Sequence, residues 1–245
     1  MIATPTRGMV MAAGLGTRMR HLTTLTAKPL LEVAGRSLLD RALDHLADVG
    51  VATAVVNTHW QPARVRATLA ARMRPAIIES HEELLLETGG GVVRALPHLG
   101  PDPFYVINGD AFWLDGATPA LKRLAAAFDP ETTDAVLLVH RTAQLPSHAG
   151  AGDFAVDPLG LVRRPKECEI VPYLYAGVQL AAPALFAGAP EGPFSTNLMW
   201  NRAIEAGRLR ALVHDGLWLH LSTPEDLTEA EEVLRGRVSA FSYAR

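Results

Sequence analysis

The chain has 245 residues, 49% of them hydrophobic and 20% charged, and its 23 Lys+Arg against 26 Asp+Glu leave a formal charge of −3. That balance offers no basic excess for gripping a nucleic-acid backbone, and the apolar content is too high for a disordered chain. The one cysteine, Cys168, rules out an intrachain disulfide and a cysteine-cluster metal site. No apolar run approaches the ~20 residues that span a bilayer, and Met1 to Arg7 contains no apolar signal core. The expectation is a cytoplasmic protein with neither nucleic-acid nor membrane partners.

Taken in chain order, short apolar runs alternate with amphipathic segments. Gly8 to Ala13 reads as a buried strand running into glycines. Ser37 is placed to cap a helix over Leu38 to Val49, whose Leu38, Leu39, Ala42, Leu43, Leu46 and Val49 recur at helical spacing until Gly50. Ala52 to Asn57 is a strand and Gln61 to Met73 a helix with Pro62 in its first turn. Pro75 to Glu79 is strand-like, Thr88 to Leu96 a short helix opened by glycines, and Phe104 to Asn108 a strong strand. Pro119 to Phe128 is helical and Ala135 to His140 a strand. Beyond about residue 145, strands at Phe154 to Val156, Leu161 to Arg164 and Leu174 to Ala182 lie among Pro and Gly. This order predicts βαβ units: a single-domain three-layer α/β/α sandwich with a Rossmann-like, mixed but mostly parallel sheet. Ligands of such sheets sit at the carboxyl ends of the strands. Gly14-Leu15-Gly16 and Gly109-Asp110, each following a strand, should therefore open onto one face.

The first of these turns carries most of the chemical signal. Two glycines after a strand let backbone N–H groups approach a phosphate. Taken alone, such a turn is as readily a tight strand exit. It also fits neither common phosphate template: Met19 replaces the third glycine of a dinucleotide fingerprint, and no Gly-Lys-Ser/Thr follows. Arg18 beside the turn and Lys28 a few residues on change the balance, because both suit a triphosphate that must release pyrophosphate. Asp110 alone would read as a turn residue; after Asn108-Gly109 it reads as a metal ligand.

Together, Met11 to Met19 and Ala27-Lys28-Pro29-Leu30-Leu31 resemble the signature of the sugar-1-phosphate nucleotidyltransferases. Leu86 to Gly91 and Val106 to Asp110 follow in the expected order. The resemblance covers about residues 7 to 235 and is clearest up to residue 115. It implies an enzyme that joins a nucleoside triphosphate to a sugar 1-phosphate and releases pyrophosphate. It also implies a nucleotide-binding half at about 7–140 and a sugar-binding half at about 141–235 of one domain. Glu87 to Gly91, Asn57, Trp60 and Gly152-Asp153-Phe154 point to members that use UTP and N-acetylmuramic acid 1-phosphate. Guanylyl or thymidylyl transfer to mannose, heptose or glucose 1-phosphate is the alternative. A catalytically weak nucleotide-sugar-binding regulatory subunit is the alternative of another class.

Position by position, the resemblance implies that Ala12, Ala13, Gly14 and Gly16 cradle the nucleotide. It sets Arg18 facing the pyrophosphate, and Lys28 on the triphosphate near the reacting phosphorus. Glu87, Thr88, Gly89 and Gly90 line the base; Asn108 and Asp110 hold nucleotide and Mg²⁺, with Mn²⁺ the other candidate ion. Asp153 hydrogen-bonds the sugar, and Arg164 stands where a lysine usually meets the sugar phosphate. The usual late metal-binding Asp is replaced by His220 in Trp218-Leu219-His220-Leu221-Ser222-Thr223. His220 either ligates a softer metal, or hydrogen-bonds while Asp110 and phosphates hold Mg²⁺, or marks weakened catalysis. The second reading is preferred. Glu82 and Glu83 are expected in a solvated loop, Trp60 and Trp200 as packing aromatics, and Cys168 as inert. Arg202, Arg208 and Arg210 are expected at a solvated helix end. Arg18, Arg20 and Lys28 are expected to converge on one phosphate-binding face. Oligomeric state is left open.

Overall fold

A computed structural model of the chain describes residues 4–145 and 151–242, with side chains up to Gly236. The chain begins with β1 (Arg7–Met11), two 3-10 turns (Thr17–Thr23 and Lys28–Leu30), and a small hairpin of β2 (Glu32–Val33) and β3 (Arg36–Ser37). Then come α1 (Leu38–Asp48), β4 (Thr53–Thr58), α2 (Pro62–Ala70), β5 (Ala76–His81), α3 (Glu87–Leu99) and β6 (Phe104–Asn108). After β7 (Phe112–Leu114), α4 (Ala120–Ala127) and β8 (Ala135–Arg141), β9 (Ala155–Val156) pairs with β10 (Val162–Arg163). The chain continues through β11 (Tyr173–Ala181), α5 (Asn197–Glu205), β12 (Leu209–Val213), β13 (Leu217–Leu219) and α6 (Pro224–Ser242).

Seven strands form one sheet in the order β12-β8-β11-β6-β1-β4-β5. Only β11 runs against its neighbours, pairing antiparallel with both β6 and β8. The alternation along each strand sends side chains to two faces. Val10, Val56, Tyr105 and Ile107 pack under α1, α2 and α4, while Met9, Val55, Phe104 and Val106 pack under α3 and α5. The expected three-layer sandwich is the observed one. In α1 the Ser37 hydroxyl accepts the Asp40 N–H at 3.0 Å, and Leu39, Leu43 and Leu46 are fully buried. Such a cap is worth about 1 kcal/mol.

From β1 the chain steps outward to β4 and β5, then returns to lay β6 on the other side of β1. That reversal is a topological switch point, where parallel sheets open a crevice at the strands' carboxyl ends. In space β8 lies among β11 and β12, so the later strands assemble beyond β6. The spacing-based reading missed β2, β3, β7, β12 and β13, runs of two to five residues, and the helices α5 and α6. Among the described residues, no helix is long and apolar enough to cross a membrane.

Candidate active site

Three segments meet at the carboxyl ends of β1, β4 and β5 through one buried polar chain. The Ala12 N–H donates to Asn57 Oδ1 at 2.7 Å, and Asn57 Nδ2 donates to Glu82 Oε1 at 2.7 Å. Glu82 Oε2 then accepts the Leu86 N–H at 2.9 Å, just ahead of α3. Asn57 and Glu82 are each 1% exposed. Glu82 is thus no solvated loop residue, as its flanking glutamates suggested, but the buried hub that ties the glycine turn to α3. Gly91 makes room for it: a Cβ there would lie 2.9 Å from Glu82 Oε1 and 3.0 Å from Asn57 Nδ2.

Above this chain lies a cleft of about 450 Å³ lined by Ala13, Gly14, Gly16, Arg18, Lys28 and Asp110. Both predicted turns therefore open onto one face, and the Gly109 N–H donates to Met11 O at 2.9 Å to lock them together. Buried Lys28 sends Nζ to Asp110 Oδ2 at 2.7 Å. An ammonium carries three donors, so two remain for a ligand. Arg18 is exposed at the rim, with no carboxylate in ion-pair distance among the described residues. Arg20 departs from the expected cluster and pairs with Glu225 at 3.1 Å.

Glu87, Thr88 and Asn108 also line the cleft. Gly89 and Gly90 do not. Their N–H groups donate to Phe194 O at 2.8 and 3.3 Å, and a Cβ on Gly89 would sit 2.2 Å from the Phe194 ring. These glycines clamp the segment before α5 rather than offer a stacking surface. Ala12 is likewise buried beneath the turn, its N–H spent on Asn57.

A second cavity of about 270 Å³ shares Met11, Thr88 and Asn108 with the cleft and holds both predicted sugar residues, Asp153 and Arg164. Asp153 Oδ2 accepts the Tyr175 N–H at 2.9 Å. Arg164 Nε and Nη2 donate to Asn201 Oδ1 at 3.0 Å and Asn197 Oδ1 at 2.5 Å. Trp200 packs edge-on to Tyr175 at 4.8 Å and donates its indole N–H to Gln179 at 2.9 Å, the packing role expected of it. Register shifts in β11 between Tyr175 and Gln179. Such bulges re-aim side chains beside sites. The Tyr175 hydroxyl is buried without a partner among the described residues, and burial together with nearby Asp110 pushes its pKa up.

Tyr175 also borders a pocket of about 160 Å³ that it shares with Arg18, Asp110 and His220. Among the described residues no three His, Cys, Asp or Glu side chains converge into a metal cage. Arg202, Arg208 and Arg210 lie elsewhere: Arg208 pairs with Asp134 at 2.8 Å, and Arg202 and Arg210 reach the Gly188 and Leu159 carbonyls. Sequence reasoning missed Tyr175, Gln179 and Asn197 as cavity residues. Gln179 was findable as a polar residue inside the apolar Leu174–Ala182 run; Asn197 carries no such signal.

A protein-family model described as MobA-like NTP transferase domain matches residues 8–212. The chain is 42% identical to the N-acetylmuramate alpha-1-phosphate uridylyltransferase of Caulobacter vibrioides, over 94% of this chain and 98% of that one. It is 34% identical to the enzyme of the same name from Neisseria meningitidis serogroup B, over 92% and 96%. Among solved structures, a UDP-glucose pyrophosphorylase complexed with UDP-glucose superposes with a TM-score of 0.78 at 14% identity, covering 94% of this chain and 98% of that one. That likeness carries the fold; the sequence relatives and the family match carry more. With a glycine turn, a lysine and an aspartate gathered at the switch point of such a sheet, the chain belongs to the sugar-1-phosphate nucleotidyltransferase family, built on a MobA-like NTP transferase domain.

Proposed function

We propose that the protein transfers UMP from UTP to N-acetylmuramic acid 1-phosphate, giving the UDP-sugar and pyrophosphate. The observation that carries this reading is the joining of the two cavities at Asn108 and Thr88, with the Lys28–Asp110 pair on the cleft side of that junction. The first cavity suits a nucleoside triphosphate and the second a sugar 1-phosphate. The choice of base and sugar follows the names of the two relatives. In this reading residues from about 7 to 140 serve the nucleotide and those from about 141 to 235 the sugar.

An oxygen of the sugar phosphate forms a bond to the α-phosphorus of the triphosphate, and the bond from that phosphorus to the pyrophosphate oxygen breaks. The nucleophile is already an anion, so no side chain has to remove a proton. Catalysis is then positioning plus charge stabilisation. The turn at Ala13, Gly14 and Gly16 offers backbone N–H groups to the phosphates. Lys28 faces the reacting phosphorus, and Arg18 at the rim meets the leaving pyrophosphate.

The donor set fits a hard divalent ion that brings most of its ligands with it. Asp110 has one carboxylate oxygen on Lys28 and one to spare, and Asn108 ends β6 two residues before it. Mg²⁺ takes one or two protein carboxylates and fills its shell with phosphate oxygens and water. Bound at Asp110, it would neutralise charge on the triphosphate. His220 offers imidazole nitrogen, a poor ligand for Mg²⁺, and is assigned a hydrogen-bonding role.

Pyrophosphate release measured across four triphosphates and several sugar 1-phosphates, with Mg²⁺ and with Mn²⁺, tests the proposal. Turnover is expected to be highest with UTP and N-acetylmuramic acid 1-phosphate. Best turnover with GTP or dTTP refutes the uridylyl assignment, and no turnover with any pair supports a regulatory binding role instead.

A further inference from the structure

We infer that Arg164 binds a carboxylate carried on the ring of the acceptor sugar, so that the second cavity selects hexose 1-phosphates bearing an acid substituent. This rests on the transferase reading above and reassigns the residue from the sugar phosphate expected for it.

The guanidinium is half-buried, and burial lowers its pKa, a shift that the charge of nearby Asp153 only partly offsets. The chain nevertheless fixes it in place. It stacks over the Phe154 ring at 4.5 Å, and two of its N–H groups go to the Asn197 and Asn201 side-chain oxygens. Those partners are neutral. Among the described residues Arg164 has no ion pair. Asp153, the acid lining the same cavity, spends Oδ2 on the Tyr175 N–H. The adjacent Arg163 makes the contrast: it is exposed and sets its fork on both Glu169 oxygens, at 2.6 and 2.7 Å. An arginine has five N–H donors, so three remain on Arg164 for a ligand.

Which anion it takes follows from where it lies. The sugar phosphate has to reach the α-phosphorus, at the end of the second cavity bordered by Asn108 and Tyr175, residues also found beside Asp110. Arg164 lines the second cavity alone and borders neither the cleft nor the small pocket. A phosphate placed for attack leaves Arg164 to a second anionic group on the ring. A planar guanidinium with a free edge matches a carboxylate in both geometry and charge. A neutral sugar leaves it half-buried with no ion pair, which penalises the wrong substrate as well as rewarding the right one.

The test compares kcat/KM with UTP for N-acetylmuramic acid 1-phosphate and N-acetylglucosamine 1-phosphate, which share ring and acetamide and differ by the acid-bearing ether. The wild type is expected to prefer the acidic sugar by about 100-fold. In Arg164→Gln that ratio is expected to collapse to near 1, and in Arg164→Lys, which keeps charge without the fork, to fall between. A lowered rate with an unchanged ratio places Arg164 on the phosphate and overturns the inference, as does an unchanged rate on both sugars. Absence of wild-type turnover on every sugar 1-phosphate overturns the transferase reading, and this inference with it.

Discussion

Asn57→Asp probes the buried chain beneath the glycine turn. The aspartate keeps the oxygen that accepts the Ala12 N–H, but it replaces the Nδ2 donor with an oxygen facing Glu82 Oε1 at 2.7 Å. Two full charges at that separation repel by about 6 kcal/mol at an effective dielectric of about 20. The chain escapes by letting the pair share a proton. At pH 7.5, protonating a carboxyl of reference pKa near 4 costs about 5 kcal/mol, which caps the loss. Burial of both residues keeps water from relieving it. The sign follows from linkage: the folded variant holds a proton that the unfolded chain releases. The variant's deficit therefore grows as pH rises, by about 1.4 kcal/mol per unit between pH 5.5 and 7.5. Asn57→Ala instead leaves the Ala12 N–H and Glu82 Oε1 unpaired, for a loss of about 3 kcal/mol that hardly varies with pH. Urea unfolding of both variants at pH 5.5, 6.5 and 7.5, taken as differences from wild type, reads these numbers. A deficit for Asn57→Asp below about 1 kcal/mol at pH 7.5, or one equal at both ends of that range, refutes the contact.

Lys28→Met removes the ammonium at the reacting end and is expected to lower kcat/KM in the pyrophosphate assay by about 1000-fold, mostly through kcat; a loss under tenfold contradicts its role. Tyr175→Phe removes a buried, unpartnered hydroxyl and should raise urea stability by about 1 kcal/mol; a clear loss would mean the hydroxyl has a partner in solution. Gly89→Ala drives a methyl into the Phe194 ring and should lower stability by about 2 kcal/mol while loosening the segment before α5, read by melting and by proteolysis near Phe194. In His140, burial, then His214 and Arg141, push the pKa from 6.5 to about 4. The unfolded chain thus takes up the proton first, and stability is full above pH 6.5 and lost as pH falls towards 4. Between pH 7.5 and 5 that loss is about 2 kcal/mol, and His140→Phe should lose that much less than wild type over the same range.

What could be read from the residues divides along physical lines. The strands at Phe104–Asn108 and Ala135–His140 and the helix from Leu38 stood out because a fully buried strand and a one-sided helix each leave a strong apolar period. That the glycine turn, Lys28 and Asp110 gather at one cleft was legible because consecutive residues build each piece and the sheet topology brings them together. Glu82 was not. Its neighbour Glu83 is exposed, and the difference between them lies in a partner 25 residues away, Asn57, that no local pattern reveals. Gly89 and Gly90 were misread for a related reason. A glycine signals close approach without saying of what, and here the approaching group is Phe194 rather than a base.

Ion pairs hold part of the positive charge of this mildly acidic chain away from passing anions. Arg20, Arg66, Arg72, Arg123, Arg163 and Arg208 each have a carboxylate within ion-pair distance. At the surface such pairs add little stability, but they remove positive charge from places where it would attract phosphate indiscriminately. Arg18 at the rim of the cleft and Arg164 in the second cavity have no such partner among the described residues, and Lys28 shares its single acid with two donors left over. Among the cavity-lining residues, positive charge without a carboxylate partner sits at Arg18 in the cleft and at Arg164 in the second cavity, where the proposed reading puts a triphosphate and a ring acid. A substitution that frees a paired arginine, such as Glu169→Gln beside Arg163, adds positive charge without adding a site. One that neutralises Arg164 changes the net charge by the same single unit but empties a site. Specificity for the acceptor should therefore track the pairing state of individual arginines and be indifferent to the net charge of the protein.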